Sequence, residues 1–427
     1  MNPKEYYEKN PFLNNDKTFK QDKEKRENGL ENIIYKNSFE NSINKIDNNF
    51  KNKKENVNQS IKKARNPGID FVRIISMYTV VFHHYLYFGD GIRHFPKYER
   101  SFLIVHSFTG WHNNAFILIS GIVGYKTNKY SNLLYLWLTV FFYSVGIHKY
   151  ILHYKKNYVI NENIFKEYYP MIFNRYWYFS SYFGMYLFLP VINKGIASLT
   201  KYEFLLALMS LFFIFIFWKD YKNPKEDFFH LNDGNSVIWF LIFYIAGAYI
   251  GKYRADYYGI KKYIYCFICL FIFSCFSFLF FKTNNNELPL RIGKYKLNIP
   301  ITLKVMLNDK YHSFFKIVQS ITFCLFFMQI HYNKYIAKII CFIGPLTFGI
   351  YLIHNHKLIH KNVLDHFFEN LSRNLSFKEV LNSLLLESLK MVIFSLIIDY
   401  LRYLLFSLLR IKKILIFLET KLKEKLS

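Results

Sequence analysis

The sequence predicts an all-α integral membrane protein with about ten transmembrane helices and with both termini in the cytosol. Apolar segments recur from residue 67 onward, and several approach the roughly 20 residues that cross the hydrocarbon of a bilayer as a helix. The connections between them include short basic stretches, which is typical of cytosolic loops. The residues before 67 are polar, so the chain divides into a tail and a membrane domain.

Residues 1–66 are predicted to be a disordered, polar, cytosolic tail. They are rich in Asn, Lys and Glu, as in NNDKTFKQDKEKREN and NNFKNKKENVNQS, and contain few apolar residues. Such a composition cannot bury enough apolar surface to fold. The tail also lacks the apolar core and small-residue cleavage site of a secretory signal, so we expect it to stay attached to the chain.

Residues 67–410 are predicted to be the membrane-embedded domain, in which the second and fourth spans are the most polar. The predicted spans are 69–88, 102–124, 133–153, 176–192, 202–218, 235–251, 262–281, 313–331, 338–356 and 385–409. Residues 411–427 are predicted to be a basic cytosolic segment. This segment is either an amphipathic helix on the inner membrane surface or a charged tail that only fixes the topology.

The distribution of Lys and Arg sets the predicted orientation. With the N-terminal tail inside, the connections KTNKYSN, NKGIASLTK, GKYRADYYGIKK and HYNKYIAK lie inside, and all of them are basic. The outer connections are longer and contain both acidic and basic residues, as in KDYKNPKEDFFHLNDGNS. Segment 283–312 is basic although it is predicted to lie outside, so the charge rule is followed with one exception.

The formal net charge of +26 does not indicate a nucleic-acid partner, because most lysines lie in the tail and between apolar segments, without a nucleic-acid-binding motif. The five cysteines are expected to be buried and reduced, because all of them fall in apolar segments. The CFIC sequence has the spacing of a metal or redox motif but no second pair.

The first span, IDFVRIISMYTVVFHHYLYF, carries Arg73, His83 and His84 in a segment otherwise suited to lipid. Ionisable residues are costly within a membrane and therefore indicate function by default. Arg73 and His84 lie on nearly the same helix face, about 16 Å apart along the axis, whereas His83 points roughly 100° away. Asp70 lies one turn before Arg73, where it could pair with the guanidinium.

This pair of residue types suits group transfer. A neutral imidazole can take a proton from a hydroxyl near neutral pH, and a guanidinium can anchor a phosphate-bearing donor. The pair therefore indicates transfer from a cytosolic, phosphate-rich carrier to an acceptor reached through the helices. The alternative is that Arg73 extends to the inner interface and His84 only hydrogen-bonds a neighbouring helix.

Five motifs occur in an order that resembles the acyltransferase-3 family, membrane-embedded O-acyltransferases whose first span has an Arg, ten intervening residues and a His. Together they cover most of residues 68–356. The motifs are GIDFVRIISMYTVVFHHY, NNAFILISGIVGY, RYWYFSSYFGMYLFLPVIN, WFLIFYIAGAYIG and IGPLTFGIYLIHNH. The last resembles the family's SFGIYLIH signature, with Thr347 in place of the usual Ser.

The resemblance implies that Arg73 and His84 are the catalytic pair. It also implies a substrate-binding set, which consists of Ser120, Gly121, Trp177, Tyr178, Tyr182 and His354. The Ser-Gly pair could instead serve helix packing, and the aromatic residues could form an interfacial belt. No metal is expected, although His354, His356 and His360 are close in sequence.

The function implied by the resemblance is transfer of an acetyl or other short acyl group from acetyl-CoA, or another acyl-CoA, to a hydroxyl of a glycan or lipid-linked sugar. Acyl-CoA would be a donor substrate, and no cofactor would be bound permanently. Such polysaccharide modification is expected in a multi-pass protein of the plasma or inner membrane. The competing hypothesis is a transporter or flippase that uses the Arg and His as a proton or substrate path.

Overall fold

A computed structural model describes residues 65–127, 129–154, 164–218, 227–257, 259, 261–272, 290–292, 295–297 and 310–426. The predicted disordered tail lies outside these residues except for Arg65 and Asn66.

The described chain is almost entirely helical, which confirms the all-α part of the predicted fold class. The helices of the first half are α1 (Pro67–Phe88), α2 (Gly91–His94), α3 (Glu99–Thr109), α4 (His112–Gly124), α5 (Tyr130–Tyr154), α6 (Phe165–Tyr168), α7 (Trp177–Ser198) and α8 (Lys201–Phe212). The helices of the second half are α9 (Val237–Lys252), α10 (261–272), α11 (Phe314–Met328), α12 (Lys334–Ile343), α13 (Thr347–His354), α14 (Lys357–Ile359), α15 (Phe377–Leu408) and α16 (Ile411–Leu426).

Short 3-10 and π turns extend or join these helices. The 3-10 turns are Pro96–Tyr98, Asn232–Gly234, Arg254–Tyr257 and Gly344–Leu346, and the π turns are Phe213–Trp218 and His360–Leu364.

Each predicted span coincides wholly or in part with helix, and three helical segments among the described residues are long and apolar enough to cross a membrane. These are Tyr130–Tyr154, Lys334–His354 and Phe377–Leu408. Two shorter apolar helices are α9 and α11. The number of ten crossings and the cytosolic position of the termini stay predictions. Part of the seventh predicted span, 273–281, lies outside the described residues.

A short β-hairpin is the exception to the all-helical fold in the described part of the chain. Strands β1 (Leu290–Ile292) and β2 (Tyr295–Leu297) pair antiparallel, with Arg291 opposite Lys296. It lies in segment 283–312, where no helix is predicted.

The second predicted span, 102–124, is not one helix. It divides into α3 and α4 at Gly110 and Trp111, where the N–H of Gly110 still closes α3 by donating to the carbonyl of His106 at 2.9 Å. The indole of Trp111 stacks on Phe323 of α11 with ring centroids 3.5 Å apart. The break between α3 and α4 therefore packs against α11. The local sequence does not indicate this packing, because Trp111 and Phe323 are far apart in the chain.

Helix α1 passes between two buried apolar clusters. Its first turns, with Ile69 and Val72, pack in a cluster with residues of α4, α7, α9 and α11. Its second half, from Met77 to Leu86, packs in a cluster with residues of α5, α13 and α15. Arg73 and His84 therefore lie in different packing environments on one rigid helix.

The start of α1 is fixed by the local sequence. The side chain of Asn66 accepts hydrogen bonds from the N–H groups of Gly68 at 2.7 Å and Ile69 at 3.3 Å, and Pro67 occupies the first helical position. Asn as N-cap and Pro in the first turn both favour helix initiation. The amide of Asn66 also donates to the carbonyl of Met328, which ties this end of α1 to the end of α11.

Contacts between connections agree with the predicted alternation of sides. Lys201 pairs with Asp256 at 2.7 Å, which joins two connections predicted to lie inside. Lys310 pairs with Asp233 at 2.6 Å, which joins two connections predicted to lie outside. These contacts place each pair of connections at a common end of the helices, and the side that faces the cytosol stays a prediction.

The C-terminal segment folds as α16 and docks on the first turn of α5. The carboxylate of Glu419 accepts from the backbone N–H groups of Tyr130 at 3.2 Å and Ser131 at 2.9 Å, and Lys423 donates to it at 2.8 Å. A carboxylate at a helix N-terminus satisfies free N–H groups and interacts favourably with the helix dipole. Tyr130 and Ser131 belong to the connection KTNKYSN, so α16 contacts a connection that is predicted to lie inside, and the cytosolic position of both stays a prediction.

This contact predicts a pH-dependent contribution to stability. Burial acts to raise the pKa of Glu419, but hydrogen bonds from Lys423 and Ser131 outweigh it and lower the pKa from 4.5 to about 2. A lowered carboxyl pKa stabilises the folded state above pH about 4.5, and this contribution is lost as the pH falls towards 2. We expect the thermal unfolding midpoint of Glu419→Gln to lie below that of the wild type at pH 7, with a difference that shrinks below pH 4.5. The matched control is Glu424→Gln on the same helix, and an equal effect of both variants would contradict the prediction.

Candidate active site

One end of the candidate site, which the sequence predicts to be the inner one, is built around Arg73. Its guanidinium Nη1 lies 2.5 Å from Oδ1 of Asp70, as the spacing of one helical turn predicts. Asp70 is fully buried, whereas the Arg73 side chain is 25% exposed. Gly344 lies against Asp70, where an added Cβ would be 2.5 Å from Oδ1. The carboxylate therefore holds the guanidinium from one side and leaves part of it accessible.

The other end of the site, which is predicted to be the outer one, is a pair of histidines from distant parts of the sequence. Nδ1 of His84 lies 3.0 Å from Nε2 of His354, the last residue of α13. Nδ1 of His354 lies 2.6 Å from the carbonyl oxygen of Ile350. His354 is fully buried, and His84 is half-buried. The two imidazoles thus form a short chain that begins at a backbone carbonyl and ends at the more accessible ring.

The backbone carbonyl determines which nitrogens carry protons. A carbonyl oxygen only accepts, so Nδ1 of His354 must donate to Ile350. When both rings are neutral, Nε2 of His354 is then an acceptor, and Nδ1 of His84 donates to it. Nε2 of His84 is left with its lone pair. This is the protonation state that a general base requires.

A row of contacts connects the two ends of the site along α7 and α13. The hydroxyl of Tyr182 lies near Ser120 and near enough to Arg73 to interact with it electrostatically. One helical turn earlier, the ring of Tyr178 lies 6.0 Å from that of Tyr351. Tyr351 in turn lies 6.3 Å from the ring of His354. The structure therefore places three of the predicted substrate-binding residues, Ser120, Tyr178 and Tyr182, between Arg73 and the histidine pair.

Gly121 and Trp177 occupy other positions. A Cβ on Gly121 would collide with the backbone of α9, at 2.8 Å from the nitrogen of Ala248 and 2.9 Å from Cα of Gly247. Such close backbone approach is what small residues allow between membrane helices. Trp177 is half-buried and packs on Tyr178 with ring centroids 5.6 Å apart. The observed contact of Gly121 is helix packing, and a substrate role for either residue stays a prediction.

His83 faces away from His84. Its Nε2 lies 2.5 Å from the hydroxyl oxygen of Thr109, and its ring stacks on that of His106 with centroids 4.8 Å apart. The hydroxyl of Thr109 donates to the carbonyl of Val105 at 2.7 Å, so it accepts from His83. His83 is therefore held as a donor in a second cluster, and its exclusion as the base stays a prediction.

The outermost histidines have partners of their own. The ring of His360 packs on Phe88 with centroids 3.9 Å apart, and its Nδ1 lies 3.0 Å from the carboxylate of Asp365. Burial lowers the pKa of His360, and the carboxylate of Asp365 opposes this shift. Nε2 of His356 donates to the carbonyl of Ser144 at 3.2 Å. Within the described residues, no group of three or more His, Cys, Asp or Glu side chains could hold a metal ion.

Sequence reasoning placed His354 in the acceptor pocket and did not predict its contact with His84. It also missed Tyr351, although the two residues are three apart in one helix and so share a face. That shared face was the available signal. The contact between His84 and His354 has no comparable signal in the local sequence, because the two residues are 270 apart.

The fold and the site define a helical protein with membrane-length helices, in which an arginine and a histidine on the first helix are joined by a histidine from near the end of the domain. Residues 66–403 match the model of the acyltransferase domain family Acyl_transf_3. The match covers more than half of the chain, so this protein belongs to the acyltransferase-3 family, as the order of its motifs predicts. No curated protein and no solved structure matches the chain.

Proposed function

We propose that this membrane acyltransferase moves an acetyl or other short acyl group from acyl-CoA to a hydroxyl of a glycan or lipid-linked sugar. The observation that carries the proposal is the hydrogen bond between His84 and His354, which leaves Nε2 of His84 as a base beside the outer end of α1. Family membership supports acyl transfer as the reaction. The identity of donor and acceptor belongs to the proposal.

Arg73 would bind phosphate groups of the donor at the inner end of the site. Its guanidinium is permanently charged, and Asp70 engages Nη1. The remaining N–H groups suit phosphate oxygens, because the planar fork of a guanidinium can donate two parallel hydrogen bonds. The donor phosphates would therefore sit about 16 Å from the base along α1, and an extended thioester arm would lie along the tyrosine row.

In the direct mechanism, Nε2 of His84 takes the proton of the acceptor hydroxyl as the oxygen attacks the thioester carbonyl. The tetrahedral intermediate collapses with cleavage of the carbon–sulfur bond, and the imidazolium returns the proton to the leaving thiolate. The products are the acyl ester and free coenzyme A. His354 acts as a positioning residue, because its Nε2 accepts from Nδ1 of His84 and stabilises the positive charge that forms there.

A covalent variant uses the same nitrogen. Nε2 of His84 attacks the thioester carbonyl, the carbon–sulfur bond breaks, and coenzyme A leaves as the thiolate from an acyl-imidazolium. The acceptor hydroxyl then attacks the acyl carbon, the carbon–nitrogen bond breaks to regenerate the neutral ring, and the hydroxyl proton neutralises the thiolate. Both mechanisms need Nε2 unprotonated and accessible.

We further propose that the protein resides in the plasma or inner membrane and modifies an envelope glycan on its outer side.

The function is tested by the fate of labelled acetyl-CoA. Purified full-length protein in detergent or lipid nanodiscs is expected to release free coenzyme A and to transfer the labelled acetyl group to crude envelope glycans. Mild base should remove the label from the product, since O-acetyl esters are base-labile. Failure to release coenzyme A, with and without the glycans, would contradict acyl transfer and favour the transporter hypothesis.

The positioning role of His354 makes a graded prediction. His354→Leu removes the acceptor for Nδ1–H of His84 and is expected to lower kcat about 100-fold. His354→Gln offers a carbonyl oxygen to the same N–H, so it is expected to retain more activity than the Leu variant. The pH profile of kcat should also shift in the Leu variant, because the charged form of His84 loses a stabilising partner.

The control for His354 is His366→Gln, which replaces an exposed histidine paired with Glu369 at 2.7 Å. It should leave both kcat and the pH profile unchanged. Equal activity of the Leu and Gln variants, with the wild-type pH profile, would indicate that His354 serves only helix packing.

A further inference from the structure

A second cluster of basic side chains lies next to the catalytic histidine. The ring of His83 lies 4.8 Å from that of His106, which stacks on it, and 4.8 Å from that of His112, which meets it edge-on. The ammonium group of Lys316 lies against Gly110, between the two helices that carry His106 and His112. A Cβ at Gly110 would collide with this ammonium group, so the missing side chain makes room for it.

The cluster brings basic side chains together inside the protein. Lys316 is 1% exposed, His83 is 4% exposed and His112 is 3% exposed. The groups that interact electrostatically with His83 are His112, His106, Lys316 and His84, and all of them are bases. Lys316 also lies in the first turn of α11, where the helix dipole has the same sign as the ammonium. Protonated imidazoles beside a buried ammonium would be costly, and an anion among them would reduce that cost.

The orientation of the rings favours hydrogen-bond donation to such an anion. Nδ1 of His112 donates to the carbonyl oxygen of Thr109 at 2.9 Å, which directs Nε2 away from the backbone. Protonation of Nε2 would make it a charged donor within the cluster. A Lys ammonium and imidazolium N–H groups both form strong, charge-assisted hydrogen bonds with phosphate and carboxylate oxygens.

The cluster is open towards the surface and continuous with the proposed base. His106 and Thr109 are half-buried, and Tyr87, which packs on His106 with ring centroids 5.2 Å apart, is 42% exposed. His112 interacts electrostatically with His84 as well as with His83. A ligand that enters past His106 can therefore reach Lys316 with one part and His84 with another.

We propose that this basic cluster binds an anionic group, a phosphate or a carboxylate, of the acceptor. The acceptor is then an acidic or phosphorylated glycan rather than a neutral one, an inference that rests on the proposed acyl transfer at His84. The anion would be held by Lys316 and the three imidazoles, and a hydroxyl of the same molecule would be presented to Nε2 of His84. The cluster thus selects the substrate, and His84 performs the chemistry.

Binding of matched sugars tests this inference without any need for turnover. Full-length protein in phosphatidylcholine nanodiscs is titrated with two pairs: N-acetylglucosamine 1-phosphate against N-acetylglucosamine, and galacturonate against galactose. The acidic member of at least one pair is expected to bind about tenfold or more tightly than its neutral partner. The pair that shows the larger preference distinguishes a phosphate from a carboxylate ligand.

Removal of the buried ammonium should abolish this preference. Lys316→Met keeps the length and apolar contacts of the side chain, and it is expected to bind the acidic and neutral sugars equally. His106→Gln, at the half-buried mouth, is a second variant that should reduce the preference with less effect on folding. The control is Lys310→Gln, which removes an exposed lysine six residues earlier and should keep the preference.

Equal binding of acidic and neutral sugars by the wild type would overturn the inference, as would an undiminished preference in both Lys316→Met and His106→Gln. Release of coenzyme A is measured on the same preparations. Release without an acidic preference contradicts this inference and leaves the proposed function intact. An acidic preference without release retains the anion site and contradicts acyl transfer.

Discussion

His84→Ala is expected to lower the rate of coenzyme A release from acetyl-CoA by about 1000-fold or more, because it removes the base in the direct mechanism and the nucleophile in the covalent one. Nε2 of His84 is the nitrogen that the hydrogen bond to His354 leaves with a lone pair. His354 and His83 both use ring nitrogens in contacts with other groups, so neither presents the same geometry to the substrate.

The comparison that separates chemistry from folding uses two further variants. His366→Ala removes an exposed histidine and should release coenzyme A at the wild-type rate. His83→Ala should lose less activity than His84→Ala, because His83 lies on another face and donates to Thr109. Equal losses in His83→Ala and His84→Ala, with unchanged thermal unfolding midpoints, would be inconsistent with His84 as the reacting residue.

Asp399→Ala is expected to lower the free energy of unfolding by about 3–5 kcal/mol, because it leaves the buried guanidinium of Arg402 without its counter-charge. Arg402 donates to both carboxylate oxygens of Asp399, at 2.9 and 2.8 Å, and the hydroxyl of Tyr143 donates at 2.8 Å. Asp399 is fully buried, and Arg402 is 6% exposed. Gly349 of the TFGIYLIH motif lies directly against Asp399, so α13 and α15 approach closely at this carboxylate.

The same helix provides a matched control. Glu387 and Lys390 have the same spacing of three residues and a contact of 2.7 Å, but their side chains are 37% and 59% exposed. Glu387→Ala should therefore change the free energy of unfolding by less than about 1 kcal/mol. Thermal unfolding in detergent measures the stability of both variants. The double variant with Asp399→Ala and Arg402→Met should be more stable than Asp399→Ala alone, because it no longer buries an uncompensated charge. Similar midpoints for Asp399→Ala and Glu387→Ala would show that the buried pair contributes little.

The predicted membrane domain has a sequence basis at both of its ends. Asn66 and Pro67 start α1 where the polar tail ends, and Ser376 with Glu379 forms a capping box at the start of α15. Such signals act within one or two turns, so they can be found without knowledge of the fold. The same local range explains why the pairing of Asp70 with Arg73 could be predicted from their spacing.

The features that the sequence did not predict depend on contacts between distant segments. The apolar run 102–124 predicts one helix, yet it divides at Gly110, where Lys316 and the Trp111–Phe323 stack from α11 meet the turn. Lys316 itself lies in a segment that sequence reasoning treated only as a span. Local hydropathy reports how apolar a segment is but carries no information about which helix packs on it.

Composition, motif order and helical periodicity are local properties, so the sequence alone predicts the helical membrane class, the family, and the positions of Arg73 and His84 on one face of the first helix. Tertiary structure adds the contact of His84 with His354 and the clustering of Lys316 with His83, His106 and His112. Both depend on residues brought together by packing, His354 on α13 and Lys316 on α11, and side-chain partners across a helix interface are selected by the whole fold.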